Sequence, residues 1–269
     1  MARNIDRLLD IMARLRDPEG GCPWDLEQTY RTIAPHTIEE AYEVADAIEK
    51  GDMAALREEL GDLLFQVVYY SQFAREEGLF DFDEVAGVIA DKMISRHPHV
   101  FGSEEIRTAE HQTSRWEEHK AAERAAKAAA QGQAAPSALD GVIAGLPALT
   151  RALKLQKRAA RVGFDWTDAR DILDKIEEEI GELRAEMDGG AAHERIADEL
   201  GDLLFALVNL ARRLDVDPEG ALRGTNAKFE RRFHRIEQLL GEQGKKPDSS
   251  TLDEMEELWQ RAKREEPRR

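Results

Sequence analysis

Carboxylates recur in this chain at a spacing that suits metal ligation. The heptapeptide ELGDLLF occurs at 59–65 and again at 199–205, so Glu59 and Asp62, then Glu199 and Asp202, stand three residues apart at the head of an apolar run. A second acidic block precedes each copy: IEEAYEV (38–44) carries Glu39, Glu40 and Glu43, and EEEIGEL (177–183) carries Glu178, Glu179 and Glu182. An α-helix turns about 100° per residue, so side chains three apart stand nearly above one another. Two helices packed by their apolar stripes would bring Glu179 and Glu182 to Glu199 and Asp202 along one seam. In the first copy Glu40 and Glu43 would meet Glu59 and Asp62 in the same way. Two carboxylates about 5 Å apart repel by roughly 3 kcal/mol at an effective dielectric near 20. Four in one cleft need protons or a cation among them. All-oxygen ligation selects Mg²⁺, with Mn²⁺ as a substitute, over zinc. A di-iron bundle would want Glu-x-x-His, and Glu40, Glu43, Glu59 and Glu179 all lack a histidine three residues on. A single Glu-x-x-Asp is ordinarily a solvated helix face; its duplication with the upstream block favours a cation site.

The elements that must carry these groups read as helices. Ile5, Leu8, Leu9 and Met12 recur on one face, as do Ile176, Ile180, Leu183 and Met187, and Leu200, Leu203 and Leu207 mark the buried side of the ELGD helix. Thr37, three residues before Glu40, predicts a helix start. No stretch alternates with period two, so the chain is expected to be all-α. The repeat continues downstream: DKMISRH (91–97) aligns with AKFERRF (227–233), and RWEEHK (115–120) with LWQRAK (258–263), pairing Trp116 with Trp259. Even the approaches agree, GGCPWD before one copy and VGFDW before the other. The predicted organisation is a first helical domain at 1–122, an Ala-rich linker at 123–140 and a second, catalytic helical domain at 141–269.

Lys and Arg number 38 against 55 Asp and Glu, a formal charge of −17, which disfavours nucleic acid and anionic membranes as partners. The longest uncharged stretch, LLFQVVYYSQFA, is too short to span a bilayer, for which roughly 20 residues are needed. With one cysteine, Cys22, no internal disulfide can form, and a soluble cytoplasmic protein is expected.

Together EEAYE…ELGD and EEIGE…ELGD resemble the E-E-x-x-E…E-x-x-D pattern of the MazG-type nucleoside triphosphate pyrophosphohydrolases. RHPHVF, KFERRF and the two-copy layout extend the likeness over almost the whole chain. The resemblance implies two tandem all-α bundles that complete their cores by homodimerisation. It also implies Mg²⁺ dependence and hydrolysis of ribo- and deoxyribonucleoside triphosphates to monophosphate and pyrophosphate, with the base read loosely. Glu179, Glu182, Glu199 and Asp202 would hold the cation, and Glu178, beside them, is a candidate base for the attacking water along with Glu179. Lys175, Lys228, Arg231, Arg232 and Trp259 would contact the nucleotide. The first copy keeps its acids, but Ser95 stands where the second has Arg231, which points to the second copy as the active one. Two alternatives stay open on the residues: a non-catalytic acidic helical dimer that regulates a partner protein, and a pyrophosphohydrolase for another phosphoanhydride such as an alarmone.

Overall fold

The structure, a computed structural model, describes residues 3–102, 108, 115, 122 and 137–266. All regular elements among them are helical, and the chain divides into two compact units, Met1–Glu123 and Arg124–Arg269. Most of the Ala-rich segment and Trp116 lie outside the described residues.

In the first unit, α1 (Asn4–Leu15), α3 (Tyr30–Lys50) and α4 (Met53–Glu76) form the core, with α2 (Pro23–Glu27), α5 (Phe82–Arg96) and α6 (Pro98–Phe101) around it. Met12, Ile33, Val68, Tyr69 and Phe73 are buried together, and Ile5, Leu8 and Leu9 pack against them, so the apolar face read in α1 is the one that is buried. The α3 helix starts earlier than the Thr37 signal predicts. Thr29 is its N-cap, accepting from the Thr32 amide, and Pro35 lies inside the helix, where it removes one intrahelical bond. Thr37 instead bonds the Tyr70 hydroxyl at 2.8 Å, a lateral tie between α3 and α4. Gly51, at φ 69°, ends α3 in the left-handed region, and Asp52 caps α4 by accepting from the Ala54 and Ala55 amides. That two-residue connection folds α3 back on α4 and sets Glu40 and Glu43 beside Glu59.

The second unit repeats the design. Its α7 (Ala148–Arg161), α8 (Ala169–Asp188), α9 (His193–Arg213), α10 (Pro218–Glu242) and α11 (Leu252–Glu265) follow in order. Gly190, at φ 66°, turns α8 back toward α9. Ile172, Ile176 and Ala206 form the centre of their contact, flanked by Ile180, Leu203 and Leu210. Two expected stripes shift. On α8 the buried residues are Ile172, Ile176 and Glu179, while Met187 is 60% exposed near the C-terminal end. On α9, Leu203 and Ala206 face α8, and Leu200 and Leu207 are left exposed with Leu204. An apolar run offers more than one stripe, and the side with small Ala206 allows the closer helix approach.

The Tyr69 hydroxyl donates to Asp25 Oδ1 at 2.8 Å inside the first core. Burial, and then that bond, pushes the phenol's pKa up. Tyr69→Phe leaves the buried Asp25 carboxylate without its donor. It should destabilise the first unit by about 1–3 kcal/mol, read as a lower urea midpoint.

Candidate metal centre

The hairpin of α8 and α9 gathers one carboxylate oxygen each from Glu179, Glu199 and Asp202 to within 4.8 Å of one another. In the first unit the equivalent gathering is Glu40, Glu43 and Glu59. Glu182 and Asp62 stand just outside these groups, close enough that their charges act on Glu199 and on Glu40 and Glu59. Loss of hydration first, then the charges of Glu182, Glu186 and Asp202, pushes the Glu199 pKa up. In the first unit Glu40 is pushed up by loss of hydration and then by Asp62 and Glu43. Glu59 rises by loss of hydration and then by Glu43 and Asp62.

Glu179 differs from the rest in being only 5% exposed, deeper than a flank position on the helix wheel implies. One of its oxygens accepts from Lys175 Nζ at 2.9 Å, while Oε2 is buried with no hydrogen-bond partner. A buried carboxylate oxygen without a donor is costly. Its presence beside two more carboxylates, all oxygen donors, fits a hard divalent cation. Lys175 also bonds Glu178 at 2.8 Å, and these two carboxylates push its pKa up, Glu178 more than Glu179, so it stays charged. Glu178 itself points outward.

The remaining sequence candidates form a separate cluster on α10 and α11. Arg231 and Arg232 pair with Glu266 at 2.9 and 2.7 Å. The Arg232 guanidinium lies 5.3 Å from the Trp259 ring centre, and Phe229 packs on the same indole at 5.4 Å. Lys228 is half-buried and has no ion-pair partner among the described residues. Glu266 carries no motif and could not be singled out from the sequence.

Sequence reasoning missed a cavity. It opens beside Glu179, Asp202 and Lys175 and is walled by Leu155, Phe164, Trp166, Ile172 and Phe205, with a volume of about 380 Å³. Asn209 interrupts the apolar run LLFALVNLA and VGFDW supplies two aromatic residues, but neither by itself points to an empty volume.

Fold and site together define a duplicated all-α protein with one carboxylate cluster in each copy. The chain belongs to the MazG nucleotide pyrophosphohydrolase family, whose domain matches residues 28–101 and again 168–236. It is similar over 263 residues, at 52% identity, to the nucleoside triphosphate pyrophosphohydrolase of Escherichia coli (strain K12), covering 97% of this chain and 98% of that one. It is also 40% identical over 260 residues to the nucleoside triphosphate pyrophosphohydrolase/pyrophosphatase MazG of Thermotoga maritima, covering 96% of this chain and 95% of the relative. Among the described residues no helix is long and apolar enough to cross a membrane.

A folded-state pKa raised above the unfolded one makes Glu199 favour the fold at low pH and oppose it as pH rises through the raised value. A divalent cation reverses that penalty. At neutral pH, a cation at a hundred times its dissociation constant should stabilise the fold by about 2.7 kcal/mol, seen as a raised melting temperature. The rise should shrink as pH falls into the carboxylate range, and Glu179→Gln should diminish it at pH 7.

Proposed function

We infer that the second unit hydrolyses nucleoside triphosphates at the α–β phosphoanhydride, releasing nucleoside monophosphate and pyrophosphate. The observation that carries the reading is Glu179: a buried carboxylate with one oxygen on Lys175 and the other unpartnered, beside Glu199 and Asp202. Glu179, Glu182, Glu199 and Asp202 would hold Mg²⁺, with Mn²⁺ as a substitute, and Glu40, Glu43, Glu59 and Asp62 are the corresponding set in the first unit. The bound ion supplies charge neutralisation on the polyphosphate and a more acidic water. Glu178, held by Lys175 at the edge of the cluster, takes the water proton as general base, and Glu179 orients that pair through the shared lysine.

Lys175, Lys228, Arg231 and Arg232 bind the polyphosphate. The Glu266 carboxylate that now bridges the two arginines is an anion of the kind a phosphate would replace, and Trp259 holds the Arg232 guanidinium in place. The names of the relatives support the substrate class, and the broad tolerance of base and sugar that the family resemblance implies is part of this reading, as is a role in clearing the nucleotide pool. A non-catalytic acidic dimer would leave the unpartnered Glu179 oxygen without purpose.

The protein pairs with a second copy of itself. Leu60, Leu64 and Val67 on α4, and their repeat equivalents Leu200, Leu204 and Leu207 on α9, are all exposed. The same row left open in both copies is what a helical bundle completed by a partner requires. Leu204→Glu should shift the sedimentation of the protein from dimer toward monomer.

With Mg²⁺, the protein should release pyrophosphate from nucleoside triphosphates and nothing from diphosphates. Removing a ligand forfeits several kcal/mol of charge stabilisation, so Glu199→Ala should lower kcat/KM by at least about 100-fold. Glu59→Ala should leave it within a few-fold; loss of activity from Glu59→Ala alone would move the active centre to the first unit.

A further inference from the structure

The cavity beside the carboxylates contains polar groups that the reading above does not use. Gln156, on α7, is 7% exposed and its Nε2 donates to the Phe205 carbonyl at 2.7 Å. A carbonyl can only accept, so the carboxamide orientation is settled, and Oε1 is left buried and unpartnered. Asn209, on α9, is 5% exposed, and its Oδ1 accepts from Arg212 Nε at 2.9 Å. That bond likewise turns Nδ2 away, with no acceptor among the described residues. Arg212 is itself committed to Asp165. The result is a largely apolar space of about 380 Å³, within the range of roughly 300–1,000 Å³ typical of small-molecule pockets, carrying one orphaned acceptor and one spare donor. Glu179, Asp202 and Lys175 line it too, so it is continuous with the place where phosphates would be held.

The first unit has the same carboxylates and a different neighbour. Four residues beyond the repeated heptapeptide, Tyr69 stands where the second copy has Asn209. Its ring is 1% exposed and packs with Met12 and Phe73, and its hydroxyl is bound to Asp25. In the first copy, Tyr69 and Met12 fill the space between the first helix and the ELGD helix at this level. In the second, that space is open.

We propose that the cavity of the second unit seats the nucleobase of the triphosphate. Gln156 Oε1 accepts from a base N–H, Asn209 Nδ2 donates to a base nitrogen or oxygen, and Phe164, Trp166 and Phe205 supply aromatic contact. This rests on the hydrolytic reading above and adds to it the residues that read the base. Adenine, guanine, cytosine, uracil and thymine all offer an N–H on the pairing edge, so one acceptor among apolar walls admits each of them and rejects a ring that has none. On this reading the first unit keeps the acids but has Tyr69 in the place of the seat.

The test compares ATP with purine riboside triphosphate, which lacks an N–H on that edge. Binding of their non-hydrolysable α,β-methylene analogues is measured by calorimetry with Mg²⁺, and turnover is measured separately. The wild-type protein should bind the purine riboside analogue about tenfold more weakly, the usual consequence of an unmet buried acceptor. Gln156→Leu should erase the difference by weakening the ATP analogue. Asn209→Tyr should abolish nucleotide binding while keeping the cation-induced rise in melting temperature. Equal binding of the two analogues by the wild type overturns the assignment, as does a difference that survives Gln156→Leu, or undiminished binding by Asn209→Tyr. Turnover without the binding pattern sinks the cavity alone; the pattern without turnover sinks the hydrolytic reading and leaves the cavity; absence of both turnover and pattern overturns both.

Discussion

Mutual repulsion among carboxylates is the constraint around which each unit is arranged. Three oxygens within 4.8 Å, with a fourth acid nearby, would drive two mobile helices apart. They stay together because each pair of helices is a hairpin whose apolar contact is formed beside the acids. In the second unit Ile176 and Ala206 lie about one turn from Glu179 and Asp202, and Ile172 about two turns from Glu179. In the first, Thr37 bonds Tyr70 across the same kind of contact. The packing therefore holds the acids in a geometry that solvated side chains would abandon. Lys175 relieves part of the strain at one oxygen of Glu179. The rest is left for a bound cation. A site assembled at the expense of stability in this way is what function commonly demands of a fold.

Duplication lets the same constraint serve two ends. Both units keep the carboxylates, yet the space next to them has diverged. In the first, Met12, Ile33, Val68, Tyr69 and Phe73 close into a continuous core, and Asp25 and Arg16 are drawn into the polar network at its edge. In the second, Gln156 and Asn209 replace apolar bulk, the core around Ile172 is smaller, and Phe164 remains 75% exposed at the cavity mouth. The cations follow the same division, since Arg231 in the second unit has Ser95 as its counterpart. Filling a cavity adds stability and keeping one open forfeits it, so beside the acids the first unit favours packing where the second keeps open space.

Helical class, the two-copy layout and the pairing of acidic blocks were legible in the sequence because they depend on local periodicity and on repetition. The depth of Glu179 was not. A helix wheel assigns angles, and which stripe is buried depends on the partner: Ala206 draws α9 close on one side, leaving Leu200 and Leu207 open on another. The Thr37 signal misplaced the α3 start because Thr29 offers an earlier cap and the helix tolerates Pro35. The cavity was illegible for a related reason. Gln156, Phe205 and Asn209 are brought together by the packing of α7 on α9, and no spacing within one segment announces an empty volume. The arginines were found, but their bond to Glu266 joins segments more than thirty residues apart, beyond any motif.

A base seat of the proposed kind would read the base loosely, for a physical reason. A buried acceptor discriminates strongly against a ligand that cannot meet it, and weakly among ligands that all can. Gln156 offers one such acceptor, and the apolar walls add contact that depends on area more than on identity. Tight selection of a single base would need several fixed polar groups facing it, and Arg212, the strongest donor at hand, is already held by Asp165 and Asn209. Its charge is thereby spent on keeping Asn209 in orientation. On that reading the pairing of the arginine would limit selectivity, and the energy of recognition would fall instead on the polyphosphate and its cation.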